Sequence, residues 1–124
     1  MEATPEQILE WTDGNCIIAS GSPFKPITFK GKEYIIGQGN NAFIFPALGY
    51  ASILAEVSEI TDQMVLESAL ALFEYTQTTH DASGLIYPSV NELASVTKYI
   101  VKVLLKNIIT VSYTHLTLPT KRIV

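Results

Sequence analysis

Four consecutive apolar residues, Cys16-Ile17-Ile18-Ala19, stopped at once by Ser20-Gly21-Ser22-Pro23, constrain this chain more than any other stretch. A strand that is apolar on both faces has no solvent side, and such strands belong to parallel sheets covered by helices. A short helix stands directly before it. Thr4-Pro5-Glu6-Gln7 reads as a capping box, in which the Thr4 hydroxyl accepts from the Gln7 amide and Pro5 sits where its missing N–H costs nothing. Ile8, Leu9 and Trp11 follow, and Asp13-Gly14 stops the helix. A complete Rossmann-type unit would open with a strand, so a chain that opens on this helix reads as the later part of a domain.

The rest of the chain continues the alternation. Ile27 to Phe29 turns through Lys30-Gly31-Lys32 into Glu33 to Ile36, a small hairpin. Gly37-Gln38-Gly39-Asn40-Asn41 is a polar, glycine-rich loop feeding an apolar run from Ala42 to Ala55. Its small residues (Ala47, Gly49, Ala51, Ser52, Ala55) predict a buried, closely packed helix. Thr61-Asp62 starts the next helix, with Val65, Ala69, Leu72 and Phe73 expected on its buried face. A loop through His80, Asp81 and Gly84 leads to Leu85-Ile86-Tyr87-Pro88. A second capping box, Ser89-Val90-Asn91-Glu92, then opens a helix that buries Leu93, Val96, Ile100 and Val103 or Leu104. Strands alternating with helices predict an α/β fold.

Composition narrows the function classes. With 48% hydrophobic and 16% charged residues, the 124-residue chain can bury a core. Lys25, Lys30, Lys32, Lys98, Lys102 and Lys106 are scattered and do not form a basic face with interleaved aromatics, so no nucleic acid is expected as a partner. The longest apolar run is too short for a bilayer and is broken by Pro46 and Gly49, so no membrane partner is expected either. A single cysteine, Cys16, allows neither an internal disulfide nor a CxxC zinc site, which fits a reducing, cytoplasmic compartment.

Few residues can carry chemistry. Gly37-Gln38-Gly39-Asn40-Asn41-Ala42 fits the pattern G-x-G-x-x-A of dinucleotide-binding turns. The acidic residue that should hold the ribose, roughly twenty positions on, falls at Glu59 and Ile60 with no strand before it, so the fit reads as coincidental. Two readings of Asn40 and Asn41 stay open. At the mouth of a helix they can fix a polar ligand through their amides, or they can simply cap the helix. Ser20-Gly21-Ser22-Pro23-Phe24 follows a presumed parallel strand at its carboxyl end, where open α/β sheets bind ligands. A serine nucleophile is not expected, because G-x-S-x-G is absent. Cys16 reads as a core residue, and His80 as a solvated residue with no second metal ligand nearby.

Taken in order, Ala19-Ser20-Gly21-Ser22-Pro23-Phe24, Gly37-Gln38-Gly39-Asn40-Asn41-Ala42-Phe43-Ile44-Phe45-Pro46, Ile60-Thr61-Asp62 and Leu85-Ile86-Tyr87-Pro88 resemble the malic enzymes. The resemblance covers nearly all of residues 2–106. It implies the C-terminal half of a Rossmann-like NAD(P)-binding domain, an incomplete parallel sheet with flanking helices. It further implies oxidative decarboxylation of L-malate to pyruvate and carbon dioxide, with NAD or NADP as hydride acceptor and Mg²⁺ or Mn²⁺ as Lewis acid. By the same resemblance Asn40 holds the malate carboxylate near the nicotinamide, with Asn41 the next substrate-binding candidate. Ser20 and Gly21, together with Asn40, line the cofactor side of the pocket. The family's catalytic tyrosine and lysine, its acidic metal ligands and its pyrophosphate glycine loop have no counterpart in this chain, so no catalytic or metal-binding residue is assigned and the chain alone is expected to be inactive. Ala47-Leu48-Gly49-Tyr50 departs from the glycine-rich continuation usual in the family. A homo-oligomeric parent, dimer or tetramer, is implied, cytoplasmic or, in a eukaryote, mitochondrial.

Residues 1–110 are therefore read as the C-terminal portion of that domain. From Val111 the string Val-Ser-Tyr-Thr-His-Leu-Thr-Leu-Pro-Thr resembles the translation of a transposase-based sequencing-library adapter, and residues 111–124 are read as a non-native tail. All twelve acids and six of the eight bases lie before that point, so the remainder is more acidic than the net charge of −4 indicates. Two other readings compete: a malolactic enzyme, which shares this domain, and a free-standing nucleotide-binding module without chemistry.

Overall fold

The computed structural model of the chain describes residues 2–80 and 85–123, with side chains as far as Val111. Helix α1 spans Pro5–Thr12 and carries the expected cap. The Gln7 N–H donates to the Thr4 hydroxyl at 3.2 Å, and the Gln7 side chain accepts from the Thr4 N–H at 2.9 Å. Asp13 and Gly14 end it in the left-handed region, at φ 51° and 76°, and the Gly14 N–H reaches back to the Leu9 carbonyl at 2.9 Å. Without that conformation the last carbonyls of α1 would lack a partner.

Strand β1 (Ala19–Ser20) pairs in parallel with β4 (Gly37–Gln38), with Ala19 opposite Gly37 and Ser20 opposite Gln38. Between them, β2 (Ile27–Phe29) and β3 (Lys32–Tyr34) form the hairpin, antiparallel with Ile27 opposite Tyr34. A 3₁₀ turn at Asn41–Phe43 then leads into α2 (Phe45–Leu54). Helix α3 runs Asp62–His80. A second 3₁₀ turn, Val90–Glu92, carries the second capping box and enters α4, Leu93–Ile123. The architecture is a partial Rossmann-like α/β arrangement: a two-stranded parallel sheet, a hairpin and flanking helices.

Two apolar clusters hold it together. The larger joins α2, α3 and α4 through Phe43, Ala47, Leu48, Ala51, Met64, Ala71, Leu72, Val96, Ile100, Val101 and Leu104. Each fully buried Leu, Ile or Phe contributes about 1.5–3 kcal/mol relative to exposure. The smaller cluster, Leu9, Ile18 and Ile36, ties α1 to the strands, with Ile27, Phe29 and Tyr34 against it. The face expected on α4 is the one buried, apart from Leu93 and Val103, which are half-buried.

Four expectations need correction. The strand at Cys16–Ala19 is not covered on both faces: Ile18 is buried, but Ile17 is 59% exposed. Only Ala19–Ser20 is paired as strand. Gly37–Gln38 is strand, not loop, because its backbone completes the parallel ladder with β1. On α3 the buried face is Met64, Ser68, Ala71, Leu72 and Thr76, while Val65 and Phe73 are 43% and 58% exposed. The two hydroxyls are buried without cost because each donates one turn back, Ser68 to the Met64 carbonyl at 2.7 Å and Thr76 to the Leu72 carbonyl at 2.8 Å. Helix α2 is likewise only partly buried, with Phe45, Tyr50, Ile53 and Leu54 exposed. Helical backbone continues past Val111 to Ile123, and the side chains of the proposed tail lie outside the described residues.

Candidate functional site

The parallel pairing of β1 with β4 decides where the polar residues meet. Ser20 closes β1 and Gln38 closes β4, directly opposite one another. The Gly39 N–H extends the ladder by donating to the Ser20 carbonyl at 2.9 Å. Ser20-Gly21 and Gly39-Asn40 therefore leave the sheet side by side, at the carboxyl ends of two parallel strands. That edge is where open α/β sheets bind ligands.

Each segment is held by its own local bonds. The Ser22 N–H donates to the Ser20 hydroxyl at 3.3 Å, so the chain turns immediately after the strand. Gly21 is exposed, and a Cβ built on it would meet nothing within 4 Å, which leaves its outer side open to a ligand. Asn40 has extended backbone, and its side-chain oxygen accepts from the Ala42 N–H at 2.9 Å, capping the turn that contains Phe43. An asparagine amide has two functions, and capping uses only the acceptor. The Asn40 nitrogen keeps its donors for something else. Asn41 is exposed at the start of the turn, with its carbonyl accepting from the Ile44 N–H at 3.0 Å. The structure thus sets Ser20 beside Gly39, with Gly21 following on one segment and Asn40 and Asn41 on the other.

The glycines of the G-x-G-x-x-A pattern straddle the end of β4, and Glu59 lines a different cavity, about 360 Å³ between Val57, Thr61, Met64 and Ile108. The cavity beside the candidate site holds about 230 Å³ and is lined by Pro23, Phe24, Ile36, Gly37, Gln38, Tyr87 and Pro88. Pockets that enclose a drug-sized ligand run roughly 300–1,000 Å³, so this cavity is below the size of an enclosing site. For a metal ion the fit is poorer still. Among the described residues no three His, Cys, Asp or Glu side chains come together, so no step can be assigned to a metal held by them.

Sequence reasoning missed two features. Tyr87 was quoted only as part of a motif, yet its ring lies against Gly37 and Gly39 and stacks on Phe43 at 6.1 Å. His80, expected as a solvated residue, is three-quarters buried at the end of α3 and shares a 2.7 Å contact with Glu92. Glu92 also accepts from the Ser89 N–H at 2.9 Å and the Tyr75 hydroxyl at 3.2 Å. Burial pushes the Glu92 carboxyl up, but these bonds outweigh it and hold it below the ordinary value of 4.5. Burial, then the neighbouring Glu92 charge, raises Tyr75. This knot fastens α3 to the start of α4. It is structural: it satisfies a helix N-terminus and involves none of the four site residues. Cys16 is half-buried against the smaller cluster. Asp81 and Gly84 lie outside the described residues. No helix among the described residues is long and apolar enough to cross a membrane.

Comparison with known proteins is direct. The family model for the malic enzyme NAD binding domain matches residues 1–109. The NADP-dependent malic enzyme of Dictyostelium discoideum is 44% identical over 106 residues, covering 85% of this chain and 20% of that protein. The NAD-dependent malic enzyme of Aeromonas salmonicida (strain A449) is 40% identical over 106 residues, covering 86% and 19%. That of Escherichia coli O157:H7 (strain EC4115 / EHEC) is 41% identical over 100 residues, covering 81% and 18%. The chain spans about a fifth of the length of these relatives. Motif order, fold and family model agree: the chain belongs to the malic enzyme family, within its NAD binding domain.

Proposed function

We propose that the complete protein oxidises and decarboxylates L-malate to pyruvate and carbon dioxide with reduction of NAD or NADP, and that this chain contributes one wall of the pocket. The single observation that supports this best is the convergence of Ser20-Gly21 and Gly39-Asn40 at the carboxyl ends of β1 and β4. Asn40 binds a malate carboxylate through its amide nitrogen, the donor that capping leaves over, with Asn41 beside it. Ser20 and Gly21 line the nicotinamide side, where the absence of a Cβ on Gly21 admits a flat ring. A dinucleotide bound there would supply the hydride acceptor. Mg²⁺ or Mn²⁺, general acid and general base come from residues outside this chain, so the chain alone has no turnover. Residues 1–110 form the family portion and 111–124 a non-native tail. The complete protein is a homo-oligomer, in the cytoplasm or, in a eukaryote, the mitochondrion. A malolactic enzyme would use the same wall, and its signature is lactate formed from malate without accumulation of NAD(P)H.

The test is a chimera in which residues 1–109 replace the matched segment of the Dictyostelium discoideum relative, assayed with malate, NAD(P)⁺ and Mn²⁺. The expected result is malate-dependent NAD(P)H formation by the chimera and none by the 124-residue chain. A soluble, folded chimera without turnover, or turnover by the chain alone, would overturn the proposal.

A further inference from the structure

Ladder hydrogen bonds hold the backbone before Asn40, the Gly37 N–H on the Ile18 carbonyl and the Gly39 N–H on the Ser20 carbonyl, both at 2.9 Å. Gly37 and Gly39 carry no side chain, so a neighbouring ring can lie directly on that backbone. A Cβ placed on Gly39 would lie 3.3–3.5 Å from the ring and hydroxyl of Tyr87, and one on Gly37 would lie 3.7 Å from the ring. The same ring runs parallel to Phe43, 8° between planes. Phe43 is fully buried and sits in the turn that Asn40 caps. Tyr87 is anchored in turn by buried Pro88 and the capped start of α4. One aromatic ring therefore bears on the backbone before Asn40 and on the core residue after it.

We propose that Tyr87 is a positioning residue, its ring fixing the path of residues 37–43 and with it the direction of the Asn40 amide. This rests on the assignment of Asn40 to malate made above. The contact is made by the ring, so phenylalanine serves equally and alanine does not.

In the chimera, with active sites counted, Tyr87→Ala raises KM for malate about tenfold or more, since displacing a binding group by ~1 Å can cost up to a hundredfold. Tyr87→Phe restores the malate KM. Gly39→Ala, whose methyl would press on the Tyr87 ring at 3.3 Å, shifts the malate KM in the same direction. A Tyr87→Ala enzyme with fewer active molecules but an unchanged malate KM would reduce the residue to a purely structural role and overturn the proposal. A second arm is independent of turnover: in the 124-residue chain, the NMR signals of the Asn40 side-chain amide and the Ala42 N–H should move in Tyr87→Ala and stay in place in Tyr87→Phe. Unmoved signals overturn the positioning role. An inactive unsubstituted chimera sinks the malate assignment instead.

Discussion

Substitution of Asn40 separates the two uses of its side chain. The oxygen caps the turn at 2.9 Å from the Ala42 N–H, and the nitrogen is the donor assigned to malate. Asn40→Ala removes both, and loss of a cap costs about 1 kcal/mol of stability. Asn40→Asp keeps an oxygen acceptor at the same position and Asn40→Ser carries one a bond nearer the backbone, and both residues cap about as well as asparagine. Their stability should therefore match the parent within about 0.5 kcal/mol. Function should not. A hydrogen bond to a charged group is worth about 1.5–3 kcal/mol, which converts to roughly a tenfold to hundredfold loss in kcat/KM for malate. Asn40→Asp should lose more than Asn40→Ser, because it opposes one carboxylate with another. The assay pairs thermal unfolding of the chain with malate saturation curves of the chimera. If Asn40→Ser and Asn40→Asp bind malate as well as the parent, Asn40 is a cap and nothing more. If both unfold the chain, the cap geometry is misread.

Other predictions follow from the cores and the Glu92 knot. The folded state holds the Glu92 carboxyl below 4.5, so its contribution is complete above that value and is lost as pH falls through the lower folded value. Glu92→Gln should therefore flatten the fall in Tm between roughly pH 5 and pH 3, and an unchanged acid limb would show that these bonds contribute nothing. Leu104→Ala should cost about 2–5 kcal/mol by denaturant unfolding, since Leu104 is fully buried between the helices. Leu70→Ser, at an exposed position on α3, should stay within about 0.5 kcal/mol in the isolated chain. Equal costs for the two would mean that the faces of the helix bundle are wrongly assigned.

What could be read in the sequence was local. Both capping boxes and the Asp13-Gly14 stop form as expected, because each depends on atoms within one helical turn. The α/β class and the hairpin followed from short runs and their punctuation. The burial of α3 was not legible: Leu66, Leu70 and Phe73 are as apolar as anything on the buried side, and the choice fell to a face with Ser68 and Thr76 that bond to their own helix. The outer face of the first strand was misjudged for a different reason. An apolar run shows which side chains would gain from cover, not which of them the fold covers, and Ile17 stays 59% exposed. At the site, spacing and motif picked out Ser20, Gly21, Asn40 and Asn41, but the hydrogen bond between Gly39 and Ser20 that unites them depends on strand pairing. Tyr87 was silent for the same reason, since its partners lie far away along the chain.

The role of the Asn40 amide nitrogen is decided by a crystal structure of the chimera with L-malate bound. This nitrogen should lie about 2.7–3.2 Å from a malate carboxylate oxygen while the side-chain oxygen still accepts from the Ala42 N–H. A malate molecule bound with its carboxylates away from Asn40, held wholly by residues outside this chain, would contradict it.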